Sequence, residues 1–141
     1  MSPERLAAFL DEERTVTCAT FGPRGFPHLM PLWYVVRDRD VWAWTYAKSQ
    51  KVRNLERDRR CTLMFEAGES YDELRGVMLK CECVLHRSLD AVTALGEDIA
   101  RRYGGGALDD DARAAIAAQA RKRVAMQFGV RETATWDHGK L

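Results

Sequence analysis

The sequence predicts a mainly β fold, a small β-barrel with flanking helices, and three observations predict it. Six or seven short runs are rich in β-branched and aromatic residues, at 15–21, 27–36, 41–46, 61–67, 76–87 and 122–130, with 132–141 closing the chain. Most neighbouring runs are joined by short turns, which implies antiparallel pairing. Helical patterning is confined to the start, to the segment after residue 46, and to 88–122.

Ser2-Pro3-Glu4 opens the first helix with a cap, a proline at the first helical position and an acid in the first turn. Leu6, Phe9 and Leu10 give it one apolar stripe, and it should end near Glu12 or Glu13. TVTCATF follows as a strand, and Gly22-Pro23-Arg24-Gly25 as a turn. PHLMPLWYVV reads as one strand interrupted by Pro31, which places it at an edge or a bulge because proline cannot donate to a central ladder. Asp38-Arg39-Asp40 turns the chain into VWAWTY. There Trp42, Trp44 and Tyr46 share one face and Val41, Ala43 and Thr45 the other.

Ser49 is the expected N-cap of a helix starting at Gln50. CTLMFEA is the next strand, residues 71–75 a polar connector, and GVMLKCECVLHR a long strand. Ser88 caps a helix with Leu89, Val92, Leu95 and Ile99 at helical spacing, stopped by Gly104-Gly105-Gly106. Asp109 to Asp111 open another helix, where carboxylates meet the positive end of the dipole, and it should run to about Lys122. KRVAMQFGV then alternates as a strand before ETATWDHGKL.

The 141 residues, with no repeat or low-complexity linker, read as one domain, 1–141, able to bury about two-thirds of its unfolded surface. Twenty-two basic against 21 acidic residues leave a net charge of +1, which argues against a general nucleic-acid binder. No apolar run is long enough to span a membrane, and MSPERLAAFLDEER is too acidic for a signal peptide, so a cytoplasmic protein is expected. The cysteines at 18, 61, 81 and 83 fall in strand-like runs and read as small buried hydrophobes. No metal site is expected from them or from His28, His86 and His138, which are far apart in sequence.

Neither a dinucleotide fingerprint, a P-loop nor a nucleophile elbow is present, and no acid–base dyad stands out. The stretch TYAKSQKVRNLERDRR is the feature with chemistry. Thr45, Lys48, Ser49 and Lys51 bring two hydroxyls and two ammonium groups together where a helix begins with free amides, a donor set suited to phosphate. Beside it, Met30-Pro31-Leu32-Trp33 offers backbone groups freed by the proline to the edge of a planar heterocycle.

Three blocks resemble the flavin- and deazaflavin-binding split β-barrel family that includes pyridoxamine phosphate oxidase. They are TVTCATFGPRGFPHLMPLWYVV, then TYAKSQKVRNLERDRRCTLMF with its T-x(3)-S-x-K-x-x-N-L pattern, and TATWDHGKL, similar to the W-x-H-x-K-L ending of the F420-dependent branch. The resemblance is loose over 88–122. It implies a split β-barrel, FMN-binding in type, in which Thr45, Ser49 and Lys51 hold the cofactor phosphate, with Val52 and Asn54 on the helix just behind it. It places Met30, Pro31, Leu32 and Trp33 against the isoalloxazine-type ring, and makes Lys48 an added charge for a longer acidic tail. It also implies a homodimer with the cofactor at the subunit interface, where Trp136 and His138 complete the partner's pocket. Gln50 departs from the arginine that often follows the serine, and Arg59 from a proline; the oxidase's C-terminal substrate signature is not found.

The expected activity is that of an F420-dependent oxidoreductase passing hydride between the deazaflavin and a small unsaturated substrate, the cofactor carrying the chemistry. The alternatives are an FMN-dependent oxidase or reductase of the same fold and a non-catalytic flavin- or F420-binding protein.

Overall fold

The computed structural model describes residues 1–140. Helix α1 (Pro3–Glu12) leads into β1 (Val16–Phe21), β2 (Pro27–Leu32), β3 (Val35–Arg37) and β4 (Asp40–Tyr46). Helix α2 (Gln50–Arg57) precedes β5 (Arg60–Ala67), a 3-10 turn (Tyr71–Glu73) and β6 (Arg75–His86). Helices α3 (Leu89–Gly104) and α4 (Asp110–Ala120) are followed by β7 (Arg123–Asp137) and a last 3-10 turn (His138–Lys140).

All seven strands form one antiparallel sheet in the order β2-β1-β5-β6-β7-β4-β3. Its two edge strands are consecutive in sequence, with only Trp33 and Tyr34 between them. Laid flat, seven strands would set the edges about 29 Å apart at about 4.8 Å per interval. The chain from Leu32 to Val35 reaches at most about 11 Å. The sheet therefore curls until its edges nearly meet, which makes it a barrel.

Two expectations about strands are corrected here. PHLMPLWYVV is two strands, and the break falls at Trp33-Tyr34 and not at Pro31. Pro31 stays in register opposite Thr17, which an edge strand allows because a proline there can turn its missing N–H away from the ladder. The chain after Val130 is the second half of the 15-residue β7, which a bulge opposite Lys80 and Cys81 carries on along β6 to Asp137. Helix α4 also stops two residues short of the expected Lys122.

The barrel interior packs Val16, Cys18, Tyr34, Val41, Ala43, Leu63, Phe65, Val77, Leu79, Met126 and Phe128, with Phe9 and Leu10 of α1 closing on it. A second cluster lies outside the barrel, where Val92, Leu95 and Ile99 of α3 cover Trp42 and Trp44. Both faces of β4 are thus used for packing, the small residues inward and the indoles under α3. Gly96 permits that contact, since a Cβ there would come 2.4 Å from the Trp44 ring. All four cysteines are free and buried, as expected of small hydrophobes. No helix among the described residues is long and apolar enough to cross a membrane.

Candidate functional site: a buried cation at the end of β4

Strand alternation turns Thr45 inward at the end of β4, where it is 6% exposed. The chain then turns through Ala47 and Lys48, and the turn is tied to the residue preceding β7 by the Ala47 N–H donating to the Lys122 carbonyl at 2.9 Å. Ser49 caps α2 as expected, its Oγ accepting from the Val52 N–H at 3.4 Å. Helix α2 buries Lys51, Val52, Asn54 and Leu55, a stripe at helical spacing. That stripe holds Lys51 facing back toward β4, with its ammonium donating to Thr45 Oγ1 at 3.0 Å.

Lys51 is only 5% exposed, and no carboxylate lies within ion-pair distance of it among the described residues. Burial pulls its pKa below the ordinary lysine range, an effect that the nearby Cys18 thiol opposes. An ammonium removed from water without a counter-charge costs several kcal/mol, so such groups normally have an anionic partner. At the start of α2 the amides of Gln50 and Lys51 have no carbonyl one turn back to accept them, while that of Val52 is taken by Ser49 Oγ.

Asn54 plays a different part. Fully buried, it donates to Thr20 Oγ1 at 3.0 Å and accepts from Gln50 Nε2 at 2.8 Å and Arg57 Nη2 at 3.0 Å. Its bonds tie together side chains of α2 and link the helix to β1 through Thr20, and Val52, 1% exposed, is packing. Lys48 is exposed at the turn beside Lys122 and Arg123, the last with its guanidinium 4.2 Å from the centre of the Tyr46 ring.

The strip Met30-Pro31-Leu32-Trp33 runs past this corner. Met30 is paired with Cys18, which is close enough to Lys51 for each to shift the other, and Leu32 with Val16. Met30 and Trp33 are exposed, and no strand pairs with the outer edge of β2 among the described residues. On the same strand His28 sits opposite Thr20, and its buried Nδ1 has no hydrogen-bond partner among the described residues. Nothing in the local sequence marks His28 for the site; only the β1–β2 register brings it beside the Thr20–Asn54 pair.

Trp136 and His138 lie elsewhere. Val124, opposite Thr45, is 12 residues before Trp136 on β7, about 40 Å along the strand at 3.3 Å per residue. Trp136 crosses Gly76, where a Cβ would come 2.3 Å from its ring, and His138 Nδ1 is 2.9 Å from the Tyr71 carbonyl oxygen. One chain does not bring these residues to Lys51. Leu141, the last residue of the closing motif, lies outside the described residues.

The donor set fits the phosphate of a flavin or deazaflavin: a buried ammonium with no carboxylate beside it among the described residues, the Ser49 hydroxyl, and the amides of Gln50 and Lys51. The family model described as pyridoxamine 5'-phosphate oxidase matches residues 2–137, and the chain belongs to that family. A conserved hypothetical protein from Mycobacterium tuberculosis is 38% identical and superposes with a TM-score of 0.92 over 99% of this chain and 87% of that one. An F420 reductase matches at 17% identity and a TM-score of 0.68 over 90% of this chain and 94% of that one. A heme storage protein from Vibrio cholerae matches at 13% identity and 0.73, over 96% and 93%. The last two share the fold. No curated protein sequence matches the chain.

Proposed function

We propose that this protein binds coenzyme F420, with the phosphate at Thr45, Ser49 and Lys51 and the ring along Met30–Trp33, and is an oxidoreductase acting on a small unsaturated substrate. The observation that carries the reading is the buried Lys51 ammonium without a carboxylate partner. His28 Nδ1 supports it as a further polar group lacking a partner. The bound deazaflavin supplies the hydride chemistry. The chain's own residues hold the anion, orient the ring and exclude water from the corner.

Lys48, with Lys122 and Arg123 close by, favours a ligand with anionic groups beyond its phosphate, which F420 has and FMN lacks. The FMN reading uses the same phosphate donors, so the test titrates both. Calorimetry should show that Lys51→Ala weakens F420 binding about ten- to a hundredfold, the equivalent of one charge-assisted phosphate contact. Unchanged affinity in the folded variant would remove the phosphate from this corner. Tight FMN binding without F420 binding would give the site to FMN.

A homodimer belongs to the same proposal. Phe21, Phe26, Leu29, Met30, Trp33 and Met64 are exposed on β1, β2, β5 and their connections, an apolar band of the kind that a second copy covers. Four buried thiols suit a reducing, cytoplasmic setting.

A further inference from the structure

Trp33 is 58% exposed, yet its indole is held from behind. The Tyr103 ring, from the last turn of α3, stacks on it with centroids 4.3 Å apart and planes 8° from parallel. Tyr103 is itself fixed: its Oη accepts the Tyr34 N–H at 3.0 Å and lies 2.7 Å from the Arg14 carbonyl. Arg102 donates to Tyr103 Oη at 2.6 Å, to the Tyr34 carbonyl at 2.8 Å, and to the carbonyls of Leu10, Asp11 and Glu13. The end of α3 thereby grips both the β2–β3 crossing and the end of α1. A tryptophan serving only as packing would lie against the core. This one keeps a ring face toward solvent, with no second ring stacked on it among the described residues.

We propose that Tyr103 and Arg102 are positioning residues that hold Trp33 as a flat platform, and that its open face takes a planar conjugated ring. The inference rests on the proposed function and adds the residues that hold its ring end in place. A π-face offset-stacked on a rigid indole gains contact without ordering a floppy side chain, which is what pre-stacking by Tyr103 provides. The ring is either the cofactor's own tricycle or a planar substrate lying on it, and the two are separable.

The test uses lumiflavin, a tricycle without phosphate, titrated against tryptophan emission, with Trp33→Phe identifying the Trp33 share among the four tryptophans. Lumiflavin should quench Trp33. Tyr103→Leu should weaken its binding about three- to tenfold, the scale of one aromatic contact. Tyr103→Phe, which keeps the stacked ring but loses the hydroxyl bonds that fix it, should weaken binding measurably but less than Tyr103→Leu. Near-UV circular dichroism and melting confirm that each variant is folded. Absence of Trp33 quenching, or a folded Tyr103→Leu that titrates as wild type, overturns the proposal. F420 displacing lumiflavin identifies the ring as the cofactor's, whereas lumiflavin binding to the F420-saturated protein identifies a planar substrate. If neither FMN nor F420 binds better than lumiflavin and Lys51→Ala changes nothing, the phosphate corner fails while the platform stands.

Discussion

Lys51 and Thr45 meet as a buried ammonium and a buried hydroxyl, 3.0 Å apart, with the Cys18 thiol nearby and no carboxylate in ion-pair reach among the described residues. This pair makes ligand affinity depend on pH in a definite direction. Burial depresses the Lys51 pKa in the free protein, and an anion placed beside it must raise that pKa again. Affinity for F420 or FMN should therefore be full below the depressed pKa and fall as pH rises through it toward the ordinary lysine value. Lys51→Met should lack this alkaline limb. An affinity profile flat to pH 10 in the wild type would show that Lys51 does not meet the anion.

The thiols should govern alkaline stability. Burial pushes Cys18 and Cys81 up to about 12, and Cys61 and Cys83 up as well. The unfolded chain loses these protons near pH 8.5–9 while the native chain keeps them, so stability is full below that range and declines above it. Each thiol should contribute a slope approaching about 1.4 kcal/mol per pH unit. Urea unfolding in reductant, repeated from pH 7.5 to 10, measures it; unchanged midpoints would contradict the burial. Lys51 acts in the opposite direction, since its depressed pKa leaves the native state with fewer protons, and subtracting the Lys51→Met curve isolates that part. In the native protein, an aromatic disulfide reagent should find all four cysteines unreactive at pH 8.

Asn54→Ala should separate architecture from binding. It removes one partner each from Thr20, Gln50 and Arg57 inside the fold, and should destabilise by about 1–3 kcal/mol. Ligand affinity, measured where the variant is still folded, should change much less than in Lys51→Ala. A larger loss of affinity than of stability would return Asn54 to the binding set.

Gly96→Ala tests the covering of the barrel by α3. The added methyl would overlap Trp44, and Ile116 of α4 at 2.9 Å leaves no free side. A loss of about 1–3 kcal/mol is expected from overpacking, against the small gain that alanine brings to a free helix. A more stable variant would show that α3 does not sit on the indole.

Much of this was legible because local rules carried it. Ser2, Ser49 and Ser88 each cap the helix that their position predicts, and of the three aspartates expected to open α4 the first, Asp109, is its cap. The alternation of β4 correctly set Thr45 on the face opposite the indoles. The T-x(3)-S-x-K spacing folds into a corner because a strand end, a turn and a helix start are all short-range. What the sequence concealed was long-range. The lack of a carboxylate near Lys51, the pairing of His28 with Thr20, and the stacking of Tyr103 on Trp33 across 70 positions depend on register and packing, which no local pattern encodes. The break at Trp33-Tyr34 was missed because Pro31 is the stronger local breaker. Closure of the barrel, a property of the whole sheet, decides where the chain crosses.

The distance between Lys51 and Trp136 allows the sharpest test of the proposed dimer. Within one chain they belong to opposite ends of β7, so a site using both draws them from two copies. Lys51→Ala and Trp136→Ala homodimers should then each bind F420 weakly. On mixing and subunit exchange, half of the dimers become hybrids. In each hybrid one site takes Lys51 and Trp136 from the two intact contributions, and the other site takes both substitutions. About a quarter of all sites should regain wild-type affinity, a value fixed by two-fold symmetry and random exchange alone. Titration of the mixture would show that fraction as a distinct tight phase. No recovery after verified exchange would place Trp136 outside the site, and a monomer that binds F420 tightly would remove the partner from it altogether.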